Sequence, residues 1–380
     1  MRRLLVLLVF AAELLLFAGW GGLRGNSREV EQLLVVQTMG LDDVPGGVTL
    51  TLAGSADEDK GVPRLRADGV SVSAAMDRIR GYSYEEELFC PHIGRLLLGE
   101  KAAEKGVESA LAYISRSPDL RLDMPLFVVR EGTAEDAMFT VGSGKRGICD
   151  VMRIVEQDAR RRGECSLTTA AQVLRDTARC GSALVCALEL GKASETLEDA
   201  GEGEPEGRSL APLGYAVIRE GRLCRYLTRE QAVAVGFLRN DAGISTMEVR
   251  DRHGNNAVLE LTAGNCRIRP LWEEGTLRGL KIDCDVRASL LELGGREALK
   301  GTEDADYLVA RLENQLAGYL SSALQASKEL KADFLCLAEI VERDNPKAFH
   351  ALGQEFVDLL PELELEVTVR ARLNQMNDMK

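Results

Sequence analysis

The chain has 380 residues, 45% of them hydrophobic and 28% charged, the balance of a folded protein long enough for two or three domains. A net charge of −13 argues against a nucleic-acid surface, which needs clustered Lys and Arg, and against adhesion of the body to anionic lipid. Any membrane attachment therefore falls to the N-terminus.

That N-terminus reads Met1-Arg2-Arg3 followed by the apolar run Leu4–Trp20, interrupted only by Glu13. Basic residues ahead of an apolar stretch favour a cytoplasmic N-terminus with everything downstream exported. The run spans about 17 residues, the lower limit for a bilayer crossing, and Glu13 is costly in mid-membrane. Cleavage after Ala18 would place the bulky Leu16 at the −3 position. Residues 1–20 thus read as a signal or anchor segment, with a buried core helix as the remaining alternative.

Residues 21–189 read as an N-terminal α+β region. Leu33–Ala53 is a hairpin turning through an Asp, Pro and Gly cluster, and Ser71–Ile79 is a short amphipathic helix. His92–Leu98 is a third strand. In Glu100–Ser115 apolar residues recur every three to four positions, which predicts one helix, and Pro125–Val129 is a further strand. The stretch 190–208, LGKASETLEDAGEGEPEGR, is acidic, glycine-rich and nearly free of large apolar residues, and reads as a linker.

Residues 209–272 read as a small middle α+β domain. Leu213–Ile218 and Arg222–Tyr226 form a tight hairpin, Thr228 caps a helix, and Ala257–Leu261 and Cys266–Pro270 are strands. Residues 273–380 read as a C-terminal α+β domain. Its strand Leu280–Leu293 precedes two long helices, Glu303–Leu330 and Lys331–Glu342, and the alternating Leu363–Leu373 returns a strand. The fold class expected is multi-domain α+β, with mixed sheets flanked by helices.

Chemistry-bearing patterns are sparse. The nine cysteines, Cys90, Cys149, Cys165, Cys180, Cys186, Cys224, Cys266, Cys284 and Cys336, contain no C-x-x-C pair, so neither a zinc site nor a small disulfide framework is expected. They read as small buried apolar residues, and an exported but thiol-rich chain fits a cell living without oxygen. His92, His253 and His350 lie in different segments, and Cys90-Pro91-His92 lacks further ligands. Gly142–Gly147 departs from a phosphate loop, because Gly144 follows Gly142 too closely and Arg146 replaces the magnesium-binding hydroxyl. The carboxylate runs Glu85–Glu87 and Asp304–Asp306 read as solvated faces or helix N-terminal charges. No catalytic, metal or cofactor residue is assigned.

Four segments in order carry a resemblance: Glu29–Leu33 leading into LVVQTMGLD, the stretch Pro91–Met138 beginning PHIGRLLLGEKAAEKG, the hairpin and helix Leu210–Asn240, and KADFLCLAEIVERDNPKAF near the C-terminus. Together the chain resembles the C subunit of spore germinant receptors, the Ger(x)C lipoprotein family. The resemblance implies a three-domain α+β protein on the exported side of the spore inner membrane. It implies A and B membrane subunits as partners, a role in receptor assembly or in coupling to nutrient sensing, and no catalytic residues. The family places a lipidated Cys directly before a Trp; here Gly19 precedes Trp20. Glycine has no nucleophile for thioether formation, so an uncleaved Leu4–Trp20 anchor is expected in place of a lipid. The alternatives are an exported module holding a small nutrient in a cleft between domains, and a degenerate enzyme of the cell envelope.

Overall fold

The computed structural model describes residues 33–54, 63–82, 87–141, 147–163, 165–192, 208–294, 302–353 and 355–374. The segment 1–20 with Gly19, most of the acidic stretch 190–208 and the turn Gly142–Arg146 lie outside the described residues.

The first half builds a large mixed sheet. Strands β1 (Leu33–Val44), β2 (Gly47–Gly54) and β3 (Arg64–Gly69) run antiparallel, with Gly46 at φ 83° closing the first turn. After α1 (Val72–Tyr82) and the short β4 (Glu87–Phe89), β5 (Arg95–Gly99) pairs parallel to β1. Helices α2 (Glu100–Lys105) and α3 (Glu108–Arg116) cross over to β6 (Leu126–Arg130). Helices α4 (Ala134–Thr140), α5 (Ile148–Arg162) and α6 (Ala170–Cys180) cross over to β7 (Ser182–Lys192), also parallel. Strands β8 (Arg208–Arg219) and β9 (Arg222–Tyr226) finish the sheet antiparallel. Among the described residues it has nine strands, ordered β3-β2-β1-β5-β6-β7-β8-β9, with β4 beside the start of β1.

Its central strands are buried on both faces, which is why they read as continuous apolar runs. Leu96, Leu98, Leu126, Val128, Val185 and Ala187 pack against α1, α2, α3 and α6. Their alternates Leu97, Phe127, Val129, Leu184, Cys186 and Leu188 pack on the opposite face, against α4 and α5.

Helix α7 (Arg229–Leu238) leads to a second sheet, β10 (Ser245–Arg250), β11 (Asn256–Glu273), β12 (Thr276–Leu293) and β13 (Glu364–Leu373), with β13 parallel to β12. Helix α8 (Thr302–Leu330) buries Leu308, Leu312, Leu316, Leu320 and Leu324, a stripe at four-residue spacing. Short helices α9 (Leu337–Asp344), α10 (Pro346–His350) and α11 (Phe356–Leu359) precede β13. Leu259, Leu280, Ile282, Leu312 and Phe334 belong to the same apolar core as Leu184 and Val217 of the first sheet. One core therefore spans both halves.

The architecture is α+β, as expected, but the expected borders fall elsewhere. The acidic stretch 190–208 does not separate domains: β7 and β8 on either side of it pair antiparallel, from Ser182↔Arg219 to Lys192↔Arg208. Residues 208–226 thus complete the first sheet and do not open a middle domain. The border at 272/273 falls at the end of β11, whose ladder with β12 runs on to Glu273↔Thr276. Cys266–Pro270 and Ala257–Leu261 are one strand. Glu100–Ser115 is two helices, because Gly106 adopts φ 145°, outside helical space. Only α9 forms where a second long helix was expected, since Lys331 (φ 46°) and Cys336 (φ 55°) are left-handed.

Candidate functional site

In open sheets with parallel strands, ligands sit in the crevice beyond the carboxyl ends of those strands. Here that edge is formed by the ends of β1, β5 and β6, and part of it is taken by the protein's own carboxylate. Asp42, at the end of β1, is buried. Its two oxygens accept from the backbone N–H groups of Ala134 (2.7 Å) and Glu135 (2.8 Å), at the start of α4. Thr133 caps the same helix by accepting from Asp136 N–H. Gly99 leaves the room Asp42 needs, since a Cβ there would lie 2.0 Å from Asp42 Oδ1. Burial pushes the Asp42 carboxyl above its ordinary value, outweighing the two N–H groups.

A second polar cluster lies where the two halves meet. Asp333, wholly buried, accepts from the N–H groups of Leu337 (2.7 Å) and Ala338 (2.8 Å) and so caps α9. Burial pushes its carboxyl up to about 7, against those two N–H groups and the nearby Arg239 guanidinium. Arg239, after α7, donates to the carbonyl of Phe334 and lies 4.0 Å from buried Asp176 on α6. Around this centre Arg179 pairs with Glu339 at 2.9 Å, Arg219 donates to the carbonyl of Leu330 at 2.8 Å, and Gln231 donates to Ser322 Oγ at 3.1 Å. These contacts tie α6, α7 and β8 to α8 and α9.

The residues singled out by sequence stay apart. His92 is exposed in the turn before β5 with its ring 5.3 Å from Phe89, His253 lies in the turn before β11, and exposed His350 ends α10, 3.5 Å from Glu342. Cys90 is buried, which pushes its thiol up. Among the described residues no three His, Cys, Asp or Glu side chains are grouped to hold a metal ion, and no helix is long and apolar enough to cross a membrane. Nor did the sequence single out Asp42 or Asp333. The available signal for Asp42 was a carboxylate inside the apolar strand run Leu33–Val44; for Asp333 it was a helix-capping residue type four positions ahead of Leu337.

Two family models match in order. Residues 26–178 match the spore germination protein N-terminal domain, and residues 213–377 match the spore germination B3/GerAC-like C-terminal domain. The chain belongs to the Ger(x)C family. The family is that of the germinant-receptor C subunit, a spore germination component. The fold agrees: a solved structure described as the crystal structure of the GerBC protein superimposes with TM-score 0.57 at 16% identity, over 88% of this Ger(x)C chain and 96% of that one. No curated protein matches. The gap between the two family models, residues 179–212, contains the acidic stretch together with β7, so the large sheet of this Ger(x)C protein is built from both matched regions.

Proposed function

We propose that the chain is the non-catalytic C-type subunit of a nutrient germinant receptor, acting with the A and B membrane subunits in receptor assembly or signal coupling at the spore inner membrane. The observation that carries this reading is the ordered match of both family regions, 26–178 and 213–377. Asp42 occupies part of the edge at the parallel strand ends, and a shared apolar core joins the halves. A cavity of about 240 Å³ at that junction is lined by Cys165, Ser166, Asp241 and Gly243, and one of about 340 Å³ beside the strand ends is lined by Leu41, Leu98, Ala102 and Lys105.

Attachment on this reading comes from the Leu4–Trp20 segment, on the exported side, with Gly19 carrying no lipid. Mass spectrometry of the mature N-terminus tests this: retention of Leu4–Trp20 is expected, and a chain starting at Gly19 refutes the anchor. The receptor role is tested by affinity capture from spore membranes together with germination of a deletion strain. Recovery of A and B subunits and loss of germination toward at least one nutrient are expected. Normal germination toward every nutrient, with neither subunit recovered, overturns it.

A further inference from the structure

The nine cysteines have no disulfide spacing in sequence, yet the fold sets six of them side by side. Cys266 and Cys284 are direct cross-strand partners on β11 and β12. Cys180, at the end of α6, is neighbour to Cys336, just ahead of α9. In the third pair Cys165 Sγ and Cys186 Sγ lie 3.0 Å apart, 21 residues distant in sequence, and both are buried. Cys186 sits on β7 at the sheet centre. Cys165 belongs to the connection between α5 and α6, which begins at left-handed Gly163 (φ 62°).

We propose that Cys165 and Cys186 form a dithiol site that closes to a disulfide by exchange with a low-molecular-weight disulfide. Three further observations give the site its order of events. Cys165, not Cys186, lines the junction cavity of about 240 Å³, beside Ser166 and Asp241, so the incoming disulfide meets Cys165 first. Cys186 has no such access and is placed only to resolve the product. The connection is fastened just after the cysteine, where Ser166 N–H donates to Tyr215 Oη (2.7 Å) and Leu126 N–H donates to Thr168 C=O (2.9 Å), which holds Cys165 beside β7.

In the first step the Cys165 thiolate attacks one sulfur of the small disulfide, releasing one small thiol and leaving a mixed disulfide on Cys165. In the second the Cys186 sulfur attacks Cys165 Sγ and expels the second small thiol. The two protein thiols lose two electrons and two protons, and the small disulfide takes them up in becoming two thiols. The product ties the α5–α6 connection to the first sheet, beside the loop Asp241–Gly243. The proposal is independent of the receptor reading.

The test uses the full chain, reduced and then incubated in native buffer with 2-hydroxyethyl disulfide, a probe small enough for the cavity. Acid quenching, alkylation in denaturant, digestion and mass spectrometry follow. Expected is a linked Cys165–Cys186 peptide pair two hydrogens lighter than its parts and reversed by reductant, with Cys165 accumulating as the mercaptoethanol mixed disulfide in Cys186→Ser. Recovery of both thiols alkylated after exposed Cys224 has been converted overturns the proposal, as does a link that forms only in urea. Mapping of the wild-type chain decides the question even where Cys186→Ser fails to fold.

Discussion

Asp333 joins burial to a titration that stability measurements can follow. Unfolded, its carboxyl has the ordinary value of 3.8; folded, burial holds it at about 7. Below 3.8 it is protonated in both states and costs nothing. Between about 4 and 7 the unfolded chain releases a proton that the folded chain retains, so stability falls as pH rises and the loss is complete above 7. A shift of that size corresponds to roughly 4 kcal/mol. Asp333→Asn lacks this titration. The stability advantage of the wild type over Asp333→Asn, from urea unfolding, is therefore expected to shrink by that order between pH 4 and pH 8. An advantage independent of pH contradicts the assignment. Gly99 gives a second residue-scale expectation. An alanine Cβ would meet Asp42 Oδ1, which the Ala134 N–H pins, so Gly99→Ala is expected to cost about 1–3 kcal/mol in urea unfolding. Neither carboxylate was legible as a structural centre in the sequence, because each contacts groups far along the chain or around a left-handed turn that no periodicity reveals.

At the scale of elements, local signals served where an apolar stripe, a tight turn or a cap marks the element. Helix α8 and the hairpin β1–β2 were readable, and so was α7, whose Thr228 accepts from Gln231 N–H while Gln231 returns a bond to Thr228 N–H. Thr228→Ala is expected to lower stability by about 1 kcal/mol, with Thr228→Ser restoring most of it, in denaturant titration. Signals failed where backbone conformation overrides pattern. The apolar spacing of Glu100–Ser115 continues through Gly106, but its φ of 145° ends α2 and starts α3 in a new direction. An L side chain rarely adopts that conformation, so Gly106→Ala is expected to cost about 1–3 kcal/mol, several times an alanine's effect at an ordinary exposed position. Strand β11 reads as two strands, Ala257–Leu261 and Cys266–Pro270, because Thr262, Ala263 and Gly264 interrupt the apolar alternation. The ladder absorbs that interruption as a register shift between Thr262 and Gly264.

For the whole molecule, the acidic stretch 190–208 carries every compositional sign of an interdomain linker, and composition cannot reveal that the strands flanking it pair with each other. Sheet membership is decided by long-range hydrogen bonding, which local sequence does not encode. The consequence is mechanical: β8 and β9 lie in the large sheet while their side chains reach α8, as in the Arg225–Glu329 pair at 3.3 Å. Two halves joined by one core and a polar junction are expected to unfold together. Trp272 reports the second sheet, since its indole N–H donates to Asp344 at 3.0 Å, whereas far-UV circular dichroism reports all helices and strands. In a Trp20→Phe background, urea transitions followed by these two probes should coincide in midpoint. Separated midpoints, with fluorescence changing while much of the ellipticity persists, would establish two independent units. A signal passed between receptor subunits through this protein would then require motion at the Asp176, Arg239 and Asp333 junction, not displacement of the chain as one body.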